Sequence, residues 1–282
     1  MAAKNSSMKH YQRFFTKWDE IRKLNEEPLT IVLSPHMDDI FLSLNSFISA
    51  GELGKNVIGI NVFTLTDSLV DTNVKLNFGV LSSTSLERLK EEVEYSAYLK
   101  GRRINYLPIF LGFKDAAVET YYRYIAGKKI RSLPSVLGID EKARRLQWKY
   151  AADRYEQLGI GNAIKQVMAQ FDGSVDEVLA PIGIGDHIDH MMLRVFADRS
   201  LSDFKVGLYA DIPYIQEYGY NTVEKLKSVV PRSFKRYDRK SFDAAGKNRL
   251  FRRIYRSQYE SGMMRVLDEI ANTTGEVIFW GR

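Results

Sequence analysis

The sequence predicts an α/β protein in which helices cover both faces of an open, mostly parallel β-sheet. Short apolar segments alternate with longer helical segments along the chain, as in parallel strands joined by crossover helices. The first short segment, LTIVLS at 29–34, is almost wholly apolar, which is typical of a strand buried on both sides. The chain has 282 residues, 45% of them hydrophobic, so it can bury a sizeable core.

Each element is predicted from its own local pattern. Strands are assigned to short runs rich in β-branched and other apolar residues, and helices to segments with amphipathic periodicity. In chain order these are a strand at 29–34, a helix at 41–50, a strand at 57–64, a helix at 85–100, a strand at 104–111, a helix at 142–170, strands at 178–182 and 206–209, a helix at 242–264 and a strand at 276–280. Gly51 and Gly101 follow the first two helices and are typical stop signals.

The segment from Lys114 to Tyr150 interrupts this alternation and is rich in Tyr, Lys and Arg. It is interpreted either as an ordinary surface insertion with a helix or as a lid with aromatic side chains over a binding site. The sequence contains no linker that demands a domain boundary. Residues 1–282 are therefore expected to form a single domain with a basic and aromatic insertion at about 114–150.

Composition excludes several classes of site. The chain has no cysteine, which rules out disulfides, thiolate metal sites and cysteine nucleophiles, and it has only four histidines. No run of about 18 apolar residues predicts a membrane span, and the polar N-terminal segment lacks the apolar region of a secretory signal, so a cytoplasmic location is expected. The net charge of +6 fits a solvated basic surface or an anionic substrate, and without a nucleic-acid-binding motif no nucleic-acid partner is expected.

Two clusters of histidine and aspartate follow predicted strands. One is SPHMDD at 34–39, and the other is GIGDHIDH at 183–190. The carboxyl ends of strands form the binding edge of an open parallel sheet, so both clusters are expected at that edge. Alone, paired aspartates commonly cap a helix. Together, the clusters indicate a metal site, because imidazole and carboxylate suit zinc.

The predicted metal ligands are His36, Asp39 and His190. His36 and Asp39 are one helical turn apart, and His190 completes a set that leaves room for water and a substrate carbonyl. The expected cofactor is Zn²⁺, with another divalent metal such as Fe²⁺ as the alternative. Zinc would lower the pKa of a water molecule towards about 7.

The remaining members of the clusters receive catalytic roles. Asp38, beside the ligands, is the predicted acceptor of the water's proton. His187 is the predicted donor to the developing oxyanion, in its imidazolium form. Asp189 is expected to orient His187 and to stabilise its charge.

The motifs PHMDD at 35–39 and HIDH at 187–190 resemble those of the LmbE-like (PIG-L) family of zinc-dependent N-acetylglucosaminyl de-N-acetylases. The resemblance implies a Rossmann-like fold and an amidohydrolase that removes the acetyl group from an N-acetylated amino sugar or glycoconjugate. It implies the same metal ligands, with Asp38 as general base and His187 stabilising the tetrahedral intermediate. The implied partner is a small molecule, and a homo-oligomer is compatible with the sequence.

Weaker matches to the family extend over most of the chain. They are Arg88 with Glu91 and Leu99, the YADIPY segment at 209–214, Lys247 with YRSQ at 255–258, and Phe279 with Trp280. Arg88, Asp67 and Tyr214 are candidate substrate contacts, with a structural role as the alternative for each.

Two positions depart from the family motif. Met37 stands where the motif has proline, which is interpreted as an effect on the turn. Ile40 stands where the commonest motif has glutamate, so a carboxylate beside the metal is missing, with consequences for metal affinity or substrate range.

Two other functions are alternatives. A non-catalytic metal- or sugar-binding protein on the same fold would need neither Asp38 nor His187. A non-haem iron oxygenase would use His36, Asp38 and a distant histidine as its facial triad, but those enzymes are mostly all-β barrels. A dinucleotide-dependent enzyme is disfavoured, because no G-x-G-x-x-G motif follows the first strand.

Overall fold

The computed structural model describes residues 28–66, 78–115, 141–171, 174–184 and 187–281, with only the backbone described for 78–82 and 141–147. The strands in this part of the chain are β1 (Leu29–Ser34), β2 (Asn56–Asn61), β3 (Asn105–Phe110), β4 (Val175–Pro181), β5 (Lys205–Tyr209), β6 (Arg236–Lys240) and β7 (Glu276–Trp280). They form one sheet in the order β3-β2-β1-β4-β5-β7-β6. β1 to β5 pair in parallel, and β7 pairs antiparallel with both β5 and β6.

Helices cover both sides of this sheet. They are α1 (Asp39–Ser49), α2 (Phe78–Lys100), α3 (Glu141–Leu158), α4 (Ile160–Met168), α5 (Ile188–Ser200), α6 (Tyr214–Glu217), α7 (Val223–Lys227), α8 (Ala244–Ile254) and α9 (Met263–Asn272). α3 contacts α4 and α5, whereas α8 contacts α2 and α9. The predicted fold class is confirmed. Among the described helices, none combines the length and the apolar character that crossing a membrane requires.

β1 lies inside the sheet and brings two loops together. All of its residues are buried, as its apolar sequence predicts. It pairs in parallel with β4, with Val32 opposite Leu179. The loops that follow Ser34 of β1 and Pro181 of β4 therefore leave the same edge of the sheet as neighbours.

A buried aromatic cluster holds α1 against two other helices. Phe41 of α1 packs on Tyr95 of α2, on Phe251 of α8 and on Tyr255, with ring centroids 5.4, 5.6 and 5.3 Å away. Such aromatic pairs each contribute about 0.5–1.5 kcal/mol beyond the burial of their area. The cluster fixes the position of α1, the helix that begins with Asp39.

The first and last strands along the chain have the boundaries that the sequence predicts. The strands predicted at 29–34 and 276–280 coincide with β1 and β7. The helix predicted at 142–170 is divided into α3 and α4 by Gly159, which adopts a left-handed φ of 66°. Glycine reaches this conformation without the steric cost that a Cβ brings, and it interrupts the helix.

The helix predicted at 242–264 is wrong as a continuous element. α8 ends at Ile254, a short 3-10 turn follows at Arg256–Gln258, and α9 begins at Met263. Ser257 lies in this turn, where its backbone N–H and its hydroxyl donate to the Glu91 carboxylate of α2 at 2.7 and 2.6 Å. This tertiary contact outweighs the helical pattern of the local sequence.

The sequence did not predict β6, whose residues are RYDRK. β6 lies at the edge of the sheet, and its side chains are exposed or half-buried. Charged side chains on an edge strand protect it from pairing with other chains, and they leave no apolar pattern to detect.

The predicted insertion at about 114–150 lies mostly outside the described residues. Residues 116–140 are not described, and 141–150 belong to the first part of α3. The single domain spanning 1–282 stays a prediction.

Candidate metal centre and its cavity

The three predicted metal ligands meet at the edge where β1 and β4 end. His36 follows β1, Asp39 begins α1, and His190 lies in the first turn of α5. His36 Nδ1 is 3.2 Å from Asp39 Oδ2, and His190 Nε2 is 3.6 Å from the same oxygen. All three side chains are buried, and together they form a group that could hold a metal ion.

The spacing of these donors fits a metal ion. Two ligand atoms that are about 2.0–2.2 Å from one tetrahedral metal are themselves roughly 3.3–3.6 Å apart, and the observed separations are 3.2 and 3.6 Å. His190 Nε2 is buried, and no described residue forms a hydrogen bond with it. A buried polar atom without a partner is costly, and coordination to a cation would remove that cost.

Asp211, two residues after the end of β5, fixes the orientation of His190. Its Oδ1 accepts a hydrogen bond from His190 Nδ1 at 2.7 Å. Its Oδ2 accepts from the backbone N–H groups of Gly183 and Ile184 at 2.9 and 3.1 Å. Because a carboxylate accepts this bond, the proton is on Nδ1, which leaves the lone pair of Nε2 directed at the metal position. Asp211 had no predicted role, although its place two residues after a predicted strand was a usable signal.

His36 is held from two sides. Its backbone N–H donates to Asp39 Oδ2 at 2.7 Å, and its Nε2 is 3.1 Å from Asp189 Oδ2. The Asp189 carboxylate therefore acts on His36 as Asp211 acts on His190. Asp189 Oδ2 is also 3.9 Å from Nδ1 of His187, the residue that Asp189 was predicted to orient, so the carboxylate lies between the two histidines and closer to His36.

The electrostatics of the centre favour a cation. Burial lowers the pKa of His36, but its bonds to Asp189 and Asp39 outweigh burial and raise that pKa to about 10. Burial raises the pKa of Asp39, but the charges of His190 and His36 outweigh burial and lower it below its usual range. The carboxylates thus create a negative potential that would equally stabilise a divalent metal.

His187 lies in a different environment from the two predicted ligand histidines. Its ring centroid is 4.9 Å from that of His36 and 5.0 Å from that of His190. Burial and the positive charge of His36 lower the pKa of His187 to about 3. Its surroundings therefore favour the neutral imidazole over the imidazolium that the sequence analysis predicted. A neutral ring can still donate one N–H.

A small cavity of about 150 Å³ opens beside the centre. In addition to His36 and Asp39, its lining includes Asp38, Arg88, Asp115, His187, Tyr214 and Gln258. Small-molecule sites commonly measure about 300–1,000 Å³. The cavity therefore has room for one small chemical group, and the rest of a larger ligand would stay outside it.

Arg88 contacts the predicted general base. The Arg88 guanidinium donates from Nη2 to Asp38 Oδ1 at 2.8 Å, and it is buried, whereas Asp38 is partly exposed to the cavity. Arg88 and Tyr214, two of the predicted substrate contacts, both line the cavity. The Tyr214 ring is 5.6 Å from His187 and 5.0 Å from His190, measured between centroids. Asp67, the third predicted contact, lies outside the described residues.

Sequence reasoning missed two residues of the cavity wall. Asp115 is buried and follows β3, so its position after a strand was again a usable signal. Gln258 was noted only as part of the YRSQ match, and it reaches the cavity because Glu91 holds the adjacent Ser257. No local pattern indicates that contact, since Glu91 and Ser257 are far apart in sequence.

The two departures from the family motif are core positions. Met37 and Ile40 are buried. A Cβ added at Gly59 of β2 would lie 2.8 Å from Ile40 Cδ1, which shows how closely α1 approaches the sheet there. Burying a glutamate at position 40 among apolar atoms would be costly, so isoleucine suits this position.

No protein-family model matches the chain, and no curated protein matches its sequence. Solved structures do match it. A deacetylase of the teicoplanin biosynthesis pathway aligns over 89% of this chain and 97% of its own, with a TM-score of 0.58 and 19% identity. The zinc-inhibited form of teicoplanin deacetylase Orf2 aligns over 89% and 97%, with a TM-score of 0.52 and 19% identity. The A40926 pseudoaglycone deacetylase Dbv21 aligns over 89% and 96%, with a TM-score of 0.52 and 17% identity. At these identities the likeness is one of fold, and the chain shares the fold of these deacetylases.

Proposed function

We propose that this protein is a metal-dependent de-N-acetylase of the LmbE-like (PIG-L) family, which hydrolyses the N-acetyl group of an amino sugar or glycoconjugate. One observation carries the proposal. His36 and Asp39 of the buried donor set line a cavity with Asp38 and His187, which would serve catalysis but are not needed to hold a metal, and His190 completes the set 3.6 Å from Asp39. The fold that the chain shares with solved deacetylases supports the same activity.

His36, Asp39 and His190 would hold the metal, for which we propose Zn²⁺. A divalent cation there would lower the pKa of a water molecule and polarise the substrate's carbonyl oxygen. The name of one structural neighbour describes a zinc-inhibited form. The metal that best supports turnover is therefore to be measured, with Fe²⁺ as the first alternative.

Asp38 would accept the proton that the attacking water loses. Arg88 holds the Asp38 carboxylate at the cavity wall through the 2.8 Å hydrogen bond. Asp38 does not belong to the described groups that could hold a metal ion, so it is available as a base. The same carboxyl group can then pass the proton to the departing amine nitrogen. Proton transfer by a positioned side chain contributes about 10²–10⁴-fold to a rate.

His187 would stabilise the developing oxyanion as a neutral hydrogen-bond donor. It lines the cavity, and its surroundings lower its pKa to about 3. A single such donor is worth about 10²–10³-fold in turnover. This form replaces the imidazolium, because a second positive charge beside the metal would be disfavoured.

The cavity volume of about 150 Å³ suits an acetamido group. Arg88, Asp115, Tyr214 and Gln258 line its wall and would contact this group and the part of the sugar next to it. The remainder of a glycoconjugate would extend into solvent or towards residues outside the described part of the chain.

The two alternative functions make different demands on the site. A facial-triad oxygenase would need Asp38 as a ligand, but the donor group contains Asp39, and Asp38 pairs with Arg88. A non-catalytic metal-binding protein would not need Asp38 or His187 at the cavity.

Acetate release tests the proposal. The purified protein is incubated with a panel of N-acetyl glycosides, after loading with Zn²⁺ or Fe²⁺, with and without a chelator. Acetate release and a matching loss of the acetyl mass from the sugar, both abolished by the chelator and restored by metal, are expected. Metal binding without release from any glycoside would favour the non-catalytic alternative. Turnover that depends on oxygen and 2-oxoglutarate would favour the oxygenase.

A further inference from the structure

A second and larger cavity lies at the other end of α1. Its volume is about 600 Å³, and Ser46 and Ser49 of the last turn of α1 contribute to its wall. Asp39 of the metal centre begins the same helix. With a rise of about 1.5 Å per residue, the two ends of α1 are roughly 15 Å apart. The cavity is therefore separate from the metal centre, and its size falls within the usual range for small-molecule sites.

The mouth of this cavity carries an excess of positive charge. Arg102, which follows α2, and Arg249 and Arg253 of α8 all line it and are exposed. Among its described lining residues the single acidic side chain is Asp243, whose Oδ2 is 3.9 Å from Arg249 NH2. Lys247 also lines the cavity, but its charge is balanced by Glu276 at 2.6 Å.

Two of the arginines lie near the same aromatic ring. The guanidinium carbons of Arg102 and Arg253 are 4.8 and 5.9 Å from the centroid of Tyr98. Neither guanidinium forms an ion pair with a described residue of the chain. The two guanidinium carbons are therefore at most about 11 Å apart, and a dianion bound between them would be attracted by both charges.

We propose that this cavity binds a phosphorylated small molecule, with its phosphate between Arg102 and Arg253. Guanidinium groups present donors in a fixed fork that matches phosphate oxygens, and two of them balance a phosphate dianion. Tyr98 and Phe242 supply flat apolar walls for the rest of the ligand, while Asn45 and Ser49 offer polar groups. This site is independent of the metal centre and of the proposed hydrolysis.

The test titrates the metal-loaded protein with inorganic phosphate and with glucose 6-phosphate, and uses glucose as the uncharged control. NMR signals of the arginine Nε–H groups report where each phosphate binds. Saturable shifts of the Arg102 and Arg253 signals are expected with both phosphates and not with glucose. Shifts confined to Arg88, which lines the metal centre, would overturn the proposal, as would the absence of any saturable shift.

Calorimetry with matched variants gives the second readout. The double variant Arg102→Ala/Arg253→Ala is expected to bind glucose 6-phosphate at least about tenfold more weakly, because it removes both guanidinium groups that would bind the phosphate. The control, Arg232→Ala/Arg265→Ala, removes the same charge from exposed arginines that do not line the cavity. Equal losses in the two variants would attribute binding to net charge and overturn the proposal. Acetate release by the first variant should match that of the wild type, so failure here is distinguishable from failure of the proposed hydrolase.

Discussion

Asp211→Asn changes only one atom of the carboxylate that orients His190, yet it should remove much of the metal affinity. Asp211 accepts three hydrogen bonds, one from His190 Nδ1 and two from the backbone N–H groups of Gly183 and Ile184. If the asparagine oxygen keeps the two backbone bonds, its NH₂ group faces Nδ1. His190 must then accept at Nδ1 and carry its proton on Nε2, where the metal would bind. The opposite rotamer leaves two backbone donors facing an NH₂ group.

The expected loss is about 10–100-fold in metal affinity, which corresponds to roughly 1.4–2.7 kcal/mol. The assay is competition for Zn²⁺ against a chromophoric chelator, with metal content measured after dialysis. Thermal unfolding in excess chelator shows how much of the change belongs to the fold and not to the metal. Asp198→Asn is the matched control, because its carboxylate accepts one bond from Arg194 Nε at 2.9 Å on the exposed side of α5. Unchanged zinc affinity in Asp211→Asn, or an equal loss in the control, would refute this account of His190.

Three further predictions concern the centre and its support. Asp38→Ala is expected to retain the metal and to lose about 10²-fold or more in turnover, whereas His190→Ala should lose the metal. Full activity of Asp38→Ala would show that Asp38 is not the general base. Burial, assisted by the charge of Asp38, raises the pKa of Glu92 from 4.5 to about 8. The stability that the protonated Glu92 contributes is thus complete below pH 4.5 and is lost as the pH rises to about 8, at about 1.4 kcal/mol per pH unit. In urea unfolding with chelator, the free energy of unfolding of Glu92→Gln should fall less steeply with pH than that of the wild type. Equal slopes in the two proteins would contradict this role of Glu92. Gly59→Ala places a Cβ 2.2 Å from Tyr106 Oη and should lower the free energy of unfolding by about 1–3 kcal/mol, while Gly262→Ala, where a Cβ meets nothing within 4 Å, should change it little.

The sequence predicted those parts of the fold that depend on local apolar pattern. β1 and β7 are fully buried strands, and their limits were predicted residue for residue. β6 escaped prediction because an edge strand does not need apolar side chains. The break after α8 depends on Glu91 bonding Ser257, a contact made across 166 positions of sequence. Local periodicity carries no information about such a contact.

The candidate site was likewise only partly predictable from the sequence. The proximity of His36, Asp39 and His190 could be predicted, because parallel strands place their following loops at one edge. The carboxylates that set the protonation of the two histidines could not be predicted. Asp189 bonds His36 at 3.1 Å and also lies 3.9 Å from His187, and Asp211 reaches His190 from the loop after β5. These choices depend on how α5 packs over β1 and β4, which only the folded chain determines.

The place of β7 in the sheet has a consequence for biosynthesis. β7 comes after β5 and β6 in the chain, yet it lies between them. While a ribosome is still making residues 276–280, both neighbouring strands present open edges on that side, and open edges invite misassembly. Glu276 also balances the buried charge of Lys247 and accepts from the backbone N–H of Ser46, at 2.6 and 2.8 Å. The nascent chain therefore carries His36, Asp39 and His190, the proposed metal ligands, before the strand that holds α1 and α8 in place has been translated.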